Sequence, residues 1–251
     1  MSKVSLTNTL PCTLIAVLGN EKDPESKEIQ FMEPFNFNIS WTMYASSYNN
    51  DDITLEELSI KQNIAYQKIE HLLRNYINNA IWYDDSAIQV IDCHFPSSQN
   101  VLFITPASNV MYVANCLFAK FNAICGKHIT VSKLELTDVS TGLSYNIEDD
   151  TGSIPDILPD QKDFMGELSV YELPWWERTD VSTYDNKCLS EEEQTKVRST
   201  LDESKELLEE DFKQIESDVR SYMTTKPDEA EIIDLDSQRI KNKKWKPKIV
   251  K

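Results

Sequence analysis

Residues Glu33 to Ser46, EPFNFNISWTMYAS, alternate: Phe35, Phe37, Ile39, Trp41 and Met43 fall on one side, Asn36, Asn38, Ser40 and Thr42 on the other. A period of two over this length describes a strand buried on one face, so the chain must build a sheet and cover that face. Asn49-Asn50-Asp51-Asp52 supplies the turn after it, and the apolar run Leu14 to Leu18 is the expected partner strand.

The cover is predicted downstream. Thr54 reads as a helix N-cap with Glu57 completing a capping box. Leu55, Leu58, Ile64, Ile69, Leu72, Leu73, Tyr76, Ile77 and Ile81 follow at helical spacings, predicting one long helix, either continuous or broken near Ile60. A second helix is expected from Ala107 to Ile124, with Val110, Val113, Ala114, Leu117, Phe118 and Phe121 facing the core. Ala87 to Phe95 is a short strand candidate. Ile129, Val131, Leu134 and Leu136 suggest another, and Thr141-Gly142 turns into a last one near Tyr145 and Ile147. This order predicts an α+β domain over residues 1–148, a mostly antiparallel sheet with two helices on one face.

After Asp149 the pattern changes. Residues 149–189 read as a linker or extended arm, in which Leu173-Pro174-Trp175-Trp176 is an aromatic knot suited to anchoring the arm on the domain. Ser190 and Glu193 form a second capping box, opening a long acidic amphipathic helix over 190–224. Its seam is Val197, Leu201, Leu208, Phe212, Ile215, Val219 and Tyr222, with Ser204 at the one position that is not apolar. Such a seam packs on something: its own domain, a second copy or a different protein. Residues 225–251 read as a flexible tail, acidic and then basic; RIKNKKWKPKIVK at its end carries seven positive charges and no negative ones. Within the acidic part, Glu231 to Asp236 resembles the short motif that adds a strand to small ubiquitin-like modifiers.

Composition removes several functions. The five glycines, Gly19, Gly126, Gly142, Gly152 and Gly166, allow neither of the usual glycine-rich nucleotide loops. A net charge of −17 argues against a general nucleic-acid binder, leaving only the basic tail for that role. Neither a signal-peptide core nor a membrane span is expected from Leu14 to Leu18, the first short apolar run. Cys12, Cys93, Cys116, Cys125 and Cys188 are an odd set without C-x-x-C spacing, as expected of reduced thiols in a cytoplasm. Cys93-His94, Cys116, Cys125 and His128 lack the paired knuckle of a zinc site, and Asp84-Asp85 and Asp149-Asp150 read as solvated turn charge. No metal or cofactor is expected.

Several markers nevertheless occur in one order: the strand from Phe37 to Ser46, Leu55-Glu56-Glu57-Leu58, and Tyr66-Gln67-Lys68-Ile69-Glu70-His71 leading to Asn78-Asn79. Thr105-Pro106-Ala107-Ser108-Asn109, Lys133-Leu134-Glu135-Leu136-Thr137 and Tyr145 follow. Residues 10–148 thereby resemble the tetrahydropterin synthase family, the 6-pyruvoyl- and 6-carboxy-tetrahydropterin synthases. The resemblance implies a T-fold, and a ring-like homo-oligomer because T-folds pack through their sheets.

That family holds zinc with three histidines, two of them in a His-Gly-His whose place is taken here by Glu33-Pro34-Phe35. No histidine precedes His71, and no cysteine lies between Cys12 and Cys93 to act as the family's nucleophile. The family's Asp-His pair falls on Glu70-His71. Its pterin-gripping glutamate falls on Leu136, with Glu135 one residue off and on the opposite strand face. Glu70 and His71 are therefore the catalytic candidates, and Glu33 and Glu135 the ligand candidates.

The leading expectation is a non-catalytic binding or assembly protein on a catalytically silent T-fold-like domain, with a homo-oligomeric partner and a protein partner for the helical seam. An enzyme acting on a pterin- or purine-like substrate and a nucleic-acid accessory factor are the alternatives. Richness in Asn, Ile and Lys fits an AT-rich phage or viral genome, which would place the protein in a host cytoplasm.

Overall fold

The computed structural model describes residues 4–18, 31–45, 53–83, 101–103, 110–126, 128–149, 158, 173–183 and 210–224. The strand candidate at 87–95, the first half of the long helix, Cys93, His94, Cys188, Asp84-Asp85 and the tail lie outside these residues.

Strands β1 (Val4–Leu18) and β2 (Phe31–Ala45) pair antiparallel along their full length, Val4 opposite Ala45 and Leu18 opposite Phe31. Strand β1 is far longer than its apolar run because Leu6, Asn8, Leu10, Cys12 and Leu14 keep the period of two, with Thr7, Thr9, Pro11 and Thr13 between them. Pro11 is tolerated for a geometric reason. Thr13, of the same parity, turns its N–H and carbonyl away from β2, toward Asn78 and Asn79, so the N–H that Pro11 lacks would also have pointed away from the ladder.

Helix α1 (Leu55–Leu72) runs unbroken through Ile60. Thr54 Oγ1 accepts from the Glu57 N–H at 3.1 Å. The capping box is only half formed, because the Glu57 carboxylate turns to Arg220 instead. The helix also stops sooner than its apolar spacing predicts. Leu73–Ile77 widen into a π-helical turn, the Asn78 N–H reaching back to the Leu73 carbonyl at 2.9 Å. Asn79 then takes a left-handed φ of 64°, which asparagine tolerates better than most residues. Asn78 and Asn79 hydrogen-bond Thr13, and β3 (Ala80–Tyr83) starts directly beside Leu14. Ile81 thus belongs to a strand and not to the helix.

Helix α2 (Val110–Cys125) buries all six predicted core positions. It is preceded by β4 (Val101–Phe103) and followed by β5 (Ile129–Asp138) and β6 (Ser144–Glu148). The sheet order is β4-β3-β1-β2-β5-β6. Strands β1, β2, β5 and β6 are antiparallel neighbours, while β3 and β4 extend the β1 edge in parallel. The fold is α+β, with the predicted antiparallel sheet enlarged by two parallel strands. Strand β5 bulges at Ser132, where the register with β2 slips between Thr42 and Met43.

Trp41 lies at the middle of the core, stacked on Tyr66 of α1 (6.1 Å) and edge-on to Phe121 of α2 (5.8 Å). Burying an indole of ~200 Å² at ~25 cal/mol/Å² contributes about 5 kcal/mol to keeping sheet and helices together.

Candidate functional site

Glu70 is on α1, and its carboxylate accepts from Arg74 one turn later, at 2.8 and 2.9 Å. His71 Nδ1 is 2.8 Å from Asn75 Nδ2. On its other side Nε2 is 3.9 Å from the carboxylate of Asp211, and the ring meets Phe212 edge-on at 6.3 Å. Asp211 and Phe212 belong to α3, the helix over residues 210–224.

Glu135 is elsewhere. Its neighbours Leu134 and Leu136 are in the core, so its own side chain emerges on the far face of the sheet, beside Lys133 (3.8 Å) and Thr137 (3.4 Å). The sheet therefore separates Glu135 from Glu70 and His71. The position of the family's pterin glutamate, Leu136, is fully buried. Glu33 is opposite Ala16 in the ladder, and its side chain lies outside the described residues. Phe35 stacks on Phe37 at 5.9 Å and meets Trp82 edge-on at 5.5 Å. An aromatic ring in apolar surroundings offers zinc no lone pair, so the residues here do not fit the metal of the resembled family.

The seam of α3 divides. Phe212 packs against the core, Ile215 and Val219 are half-buried, and Tyr222 is 85% exposed. Val197, Leu201 and Leu208 lie outside the described residues. Because His71 near the end of α1 meets Asp211 and Phe212, while Glu57 near its start meets Arg220, the two helices run antiparallel. Arg220 also bonds Glu216 on its own helix. Hydrogen bonds from Arg220 hold the Glu57 carboxyl below its ordinary range.

Between α1, the turn from α2 to β5, and α3 is a cleft of ≈ 340 Å³. Lys68 lines it, its Nζ 4.7 Å above the Phe212 ring, and burial lowers the pKa of its ammonium group. Cys125 lines it too, its thiol pushed up to about 12 by burial. Composition gives no sign of this cleft, since two of its walls are distant in sequence.

The arm at 173–183 does what its aromatic knot suggested. Trp175 and Trp176 are buried in the core, meeting edge to face at 5.8 Å. What the sequence hid is Lys120, fully buried on α2. Its ammonium donates to the backbone carbonyls of Trp175 (2.8 Å), Arg178 (3.0 Å), Asp180 and Ser182 (3.3 Å), with the Asp180 carboxylate 4.0 Å away. Arg178 ties the same loop together by bonding the Leu173 and Ser182 carbonyls and Asp180. A lysine inside an apolar helix face signals such a clasp only once its acceptors are known.

The face of the sheet turned away from the helices is polar. Its side chains pair across strands: Thr7 with Thr42 (2.9 Å), Thr9 with Ser40 (2.5 Å), Thr13 donating to Asn36 (2.8 Å), and Thr137 with Ser144 (2.9 Å). Lys133 bridges to Glu148 at 3.2 Å. Thr7, Thr9, Asn36, Asn38 and Asn146 are exposed there. Among the described residues no helix is long and apolar enough to cross a membrane, and no three His, Cys, Asp or Glu side chains gather to hold a metal.

No family model matches this chain, and no curated protein matches it. Among solved structures it is similar to a 6-pyruvoyl tetrahydropterin synthase from Caenorhabditis elegans, at 12% identity and a TM-score of 0.35, over 60% of this chain and 98% of that one. A likeness of that degree decides neither topology nor chemistry, and the α+β assignment rests on the strand order itself.

Proposed function

We propose that this chain is a non-catalytic binding or assembly protein: a T-fold-like domain that meets further copies through its sheet and carries a helical arm for a protein partner. The observation that carries this reading is the use made of Glu70 and His71. Arg74 and Asn75 occupy them on their own helix, and Asp211 and Phe212 cover His71 from α3. Acid–base chemistry needs groups converging on one substrate atom. Here Glu135 stands on the other side of the sheet from the pair.

Two further features support the reading. Strands β1, β2, β5 and β6 are antiparallel neighbours with α1 and α2 between β2 and β5, which supports a T-fold-like α+β domain, enlarged by β3 and β4 from the same interval. The polar sheet face is exposed, and among the described strands β6 stands at the sheet's edge, so both an edge ladder and a satisfied surface are proposed to meet a second copy. The seam Val197, Leu201, Leu208, Phe212, Ile215, Val219 and Tyr222 is proposed to hold a protein partner, Phe212 being turned to the core and Tyr222 exposed.

Metal analysis and near-ultraviolet absorbance of the purified, denatured protein test this against the enzyme reading. The expected result is neither stoichiometric zinc nor a released heterocycle, with His71→Ala leaving self-association unchanged. A bound pterin or purine, or turnover of one that His71→Ala abolishes, would overturn it. Salt-sensitive nucleic-acid binding that vanishes on removing residues 239–251 would instead favour the accessory-factor reading.

A further inference from the structure

The cleft between α1, the α2–β5 turn and α3 contains an ammonium group with no close ion pair among the described residues. Its volume, ≈ 340 Å³, falls in the range of small-molecule sites, roughly 300–1,000 Å³. Ile64, Ala65, Ile124 and Ile129 give it apolar walls. Arg220 is satisfied by Glu57 and Glu216, and Lys61 stands 3.9 Å from Glu57. Lys68 is different. Among the described residues no carboxylate comes within 4.0 Å of its ammonium, which is held half-buried over Phe212. Glu216 in the same cleft acts on this charge only from beyond ion-pair distance, and a partly desolvated ammonium without a close counter-ion is stabilised by an anion brought to it.

The chemistry of the walls narrows that anion. An ammonium is a compact point charge and does not demand the two-point geometry that an arginine fork imposes. Glu216 lines the same cleft and repels a second negative charge, which disfavours a phosphate dianion. The isoleucines favour an apolar body. We propose that the cleft binds a small monocarboxylate with an aliphatic or aromatic body, its carboxylate paired with Lys68. This inference is independent of the assembly reading, since it involves neither the sheet face nor Val197, Leu201 and Leu208.

Calorimetric titration and thermal unfolding of the full chain with octanoate, octanol and inorganic phosphate test it. Octanoate should bind about tenfold tighter than octanol, equivalent to ~1.4 kcal/mol, and should raise Tm with concentration. Phosphate should give no shift. Lys68→Met should abolish the preference for octanoate over octanol, and Lys68→Arg should restore it. Lys68 also covers the Phe212 ring, so its replacement alters packing by itself and the readout is the ligand-dependent shift, not Tm. Octanoate binding no tighter than octanol in the unaltered protein, a preference that survives in Lys68→Met, or phosphate matching octanoate overturns the proposal.

Discussion

Arg220 grips Glu57 at two points, Nη1 to Oε2 and Nη2 to Oε1, both at 3.1 Å and across 163 residues of chain. The contact fixes the register of α3 on α1, because Glu57 is in the first turn of α1 and Phe212 reaches the core at the other end. It also explains why the capping box stays half formed. The carboxylate that would cap its own helix is spent on joining two helices.

Both partners are partly exposed, at 39% and 33%, so solvent screening keeps the pair weak. A double-mutant cycle with Glu57→Gln and Arg220→Gln should give a coupling of about 0.5 kcal/mol, within the usual range of exposed pairs. The Glu57 carboxyl titrates below its ordinary 4.5 when folded, so the contribution is complete above that pH and is lost as pH falls through the folded value. Urea unfolding from pH 7 down to the acid limb should show a steeper decline in the natural chain than in Glu57→Gln, since other carboxylates held low by hydrogen bonds, such as Asp138, titrate in both. An identical decline in both would remove the ion pair as its cause.

Lys120→Met should be costly although methionine fits the apolar face of α2. The four carbonyls around the ammonium would lose a common donor, and a loss of about 3 kcal/mol is expected. Release of the arm should expose Trp175 and Trp176, shifting tryptophan emission to the red before global unfolding. Unchanged emission and stability would mean that the arm is held by its indoles alone.

Cys12 and Cys125 should resist alkylation in the folded protein. Burial pushes each thiol up to about 12, leaving roughly one molecule in ten thousand ionised at pH 8. Iodoacetamide labelling followed by peptide mass spectrometry should find both unmodified under native conditions and modified in urea. Rapid native labelling of Cys125 would show that the cleft opens.

Much of this architecture is written in local patterns. The alternation of β2, the Thr54 cap and the apolar stripe of α2 each follow from neighbours within one or two turns or a few strand positions. The end of α1 is not, because Ile77 and Ile81 keep helical spacing while Thr13, far back in the chain, captures Asn78 and Asn79 and starts a strand. Glu70-His71 was legible as a pair of the right chemical type, but its covering by Asp211 and Phe212 depends on a helix that folds back over a long intervening stretch. Lys120 and Lys68 were invisible for the same reason. An isolated lysine in a helix carries no sign of which loop or ring will meet it. Glu135 shows the opposite case: parity along β5 alone put it on the face away from Leu136, and that is where it stands.

Light scattering of the full chain during size exclusion reaches the central claim most directly. The expected mass is a whole-number multiple, two or greater, of the 28.9 kDa chain, unaltered by His71→Ala. A single species at 28.9 kDa across the accessible concentration range, with nothing copurifying, would contradict it.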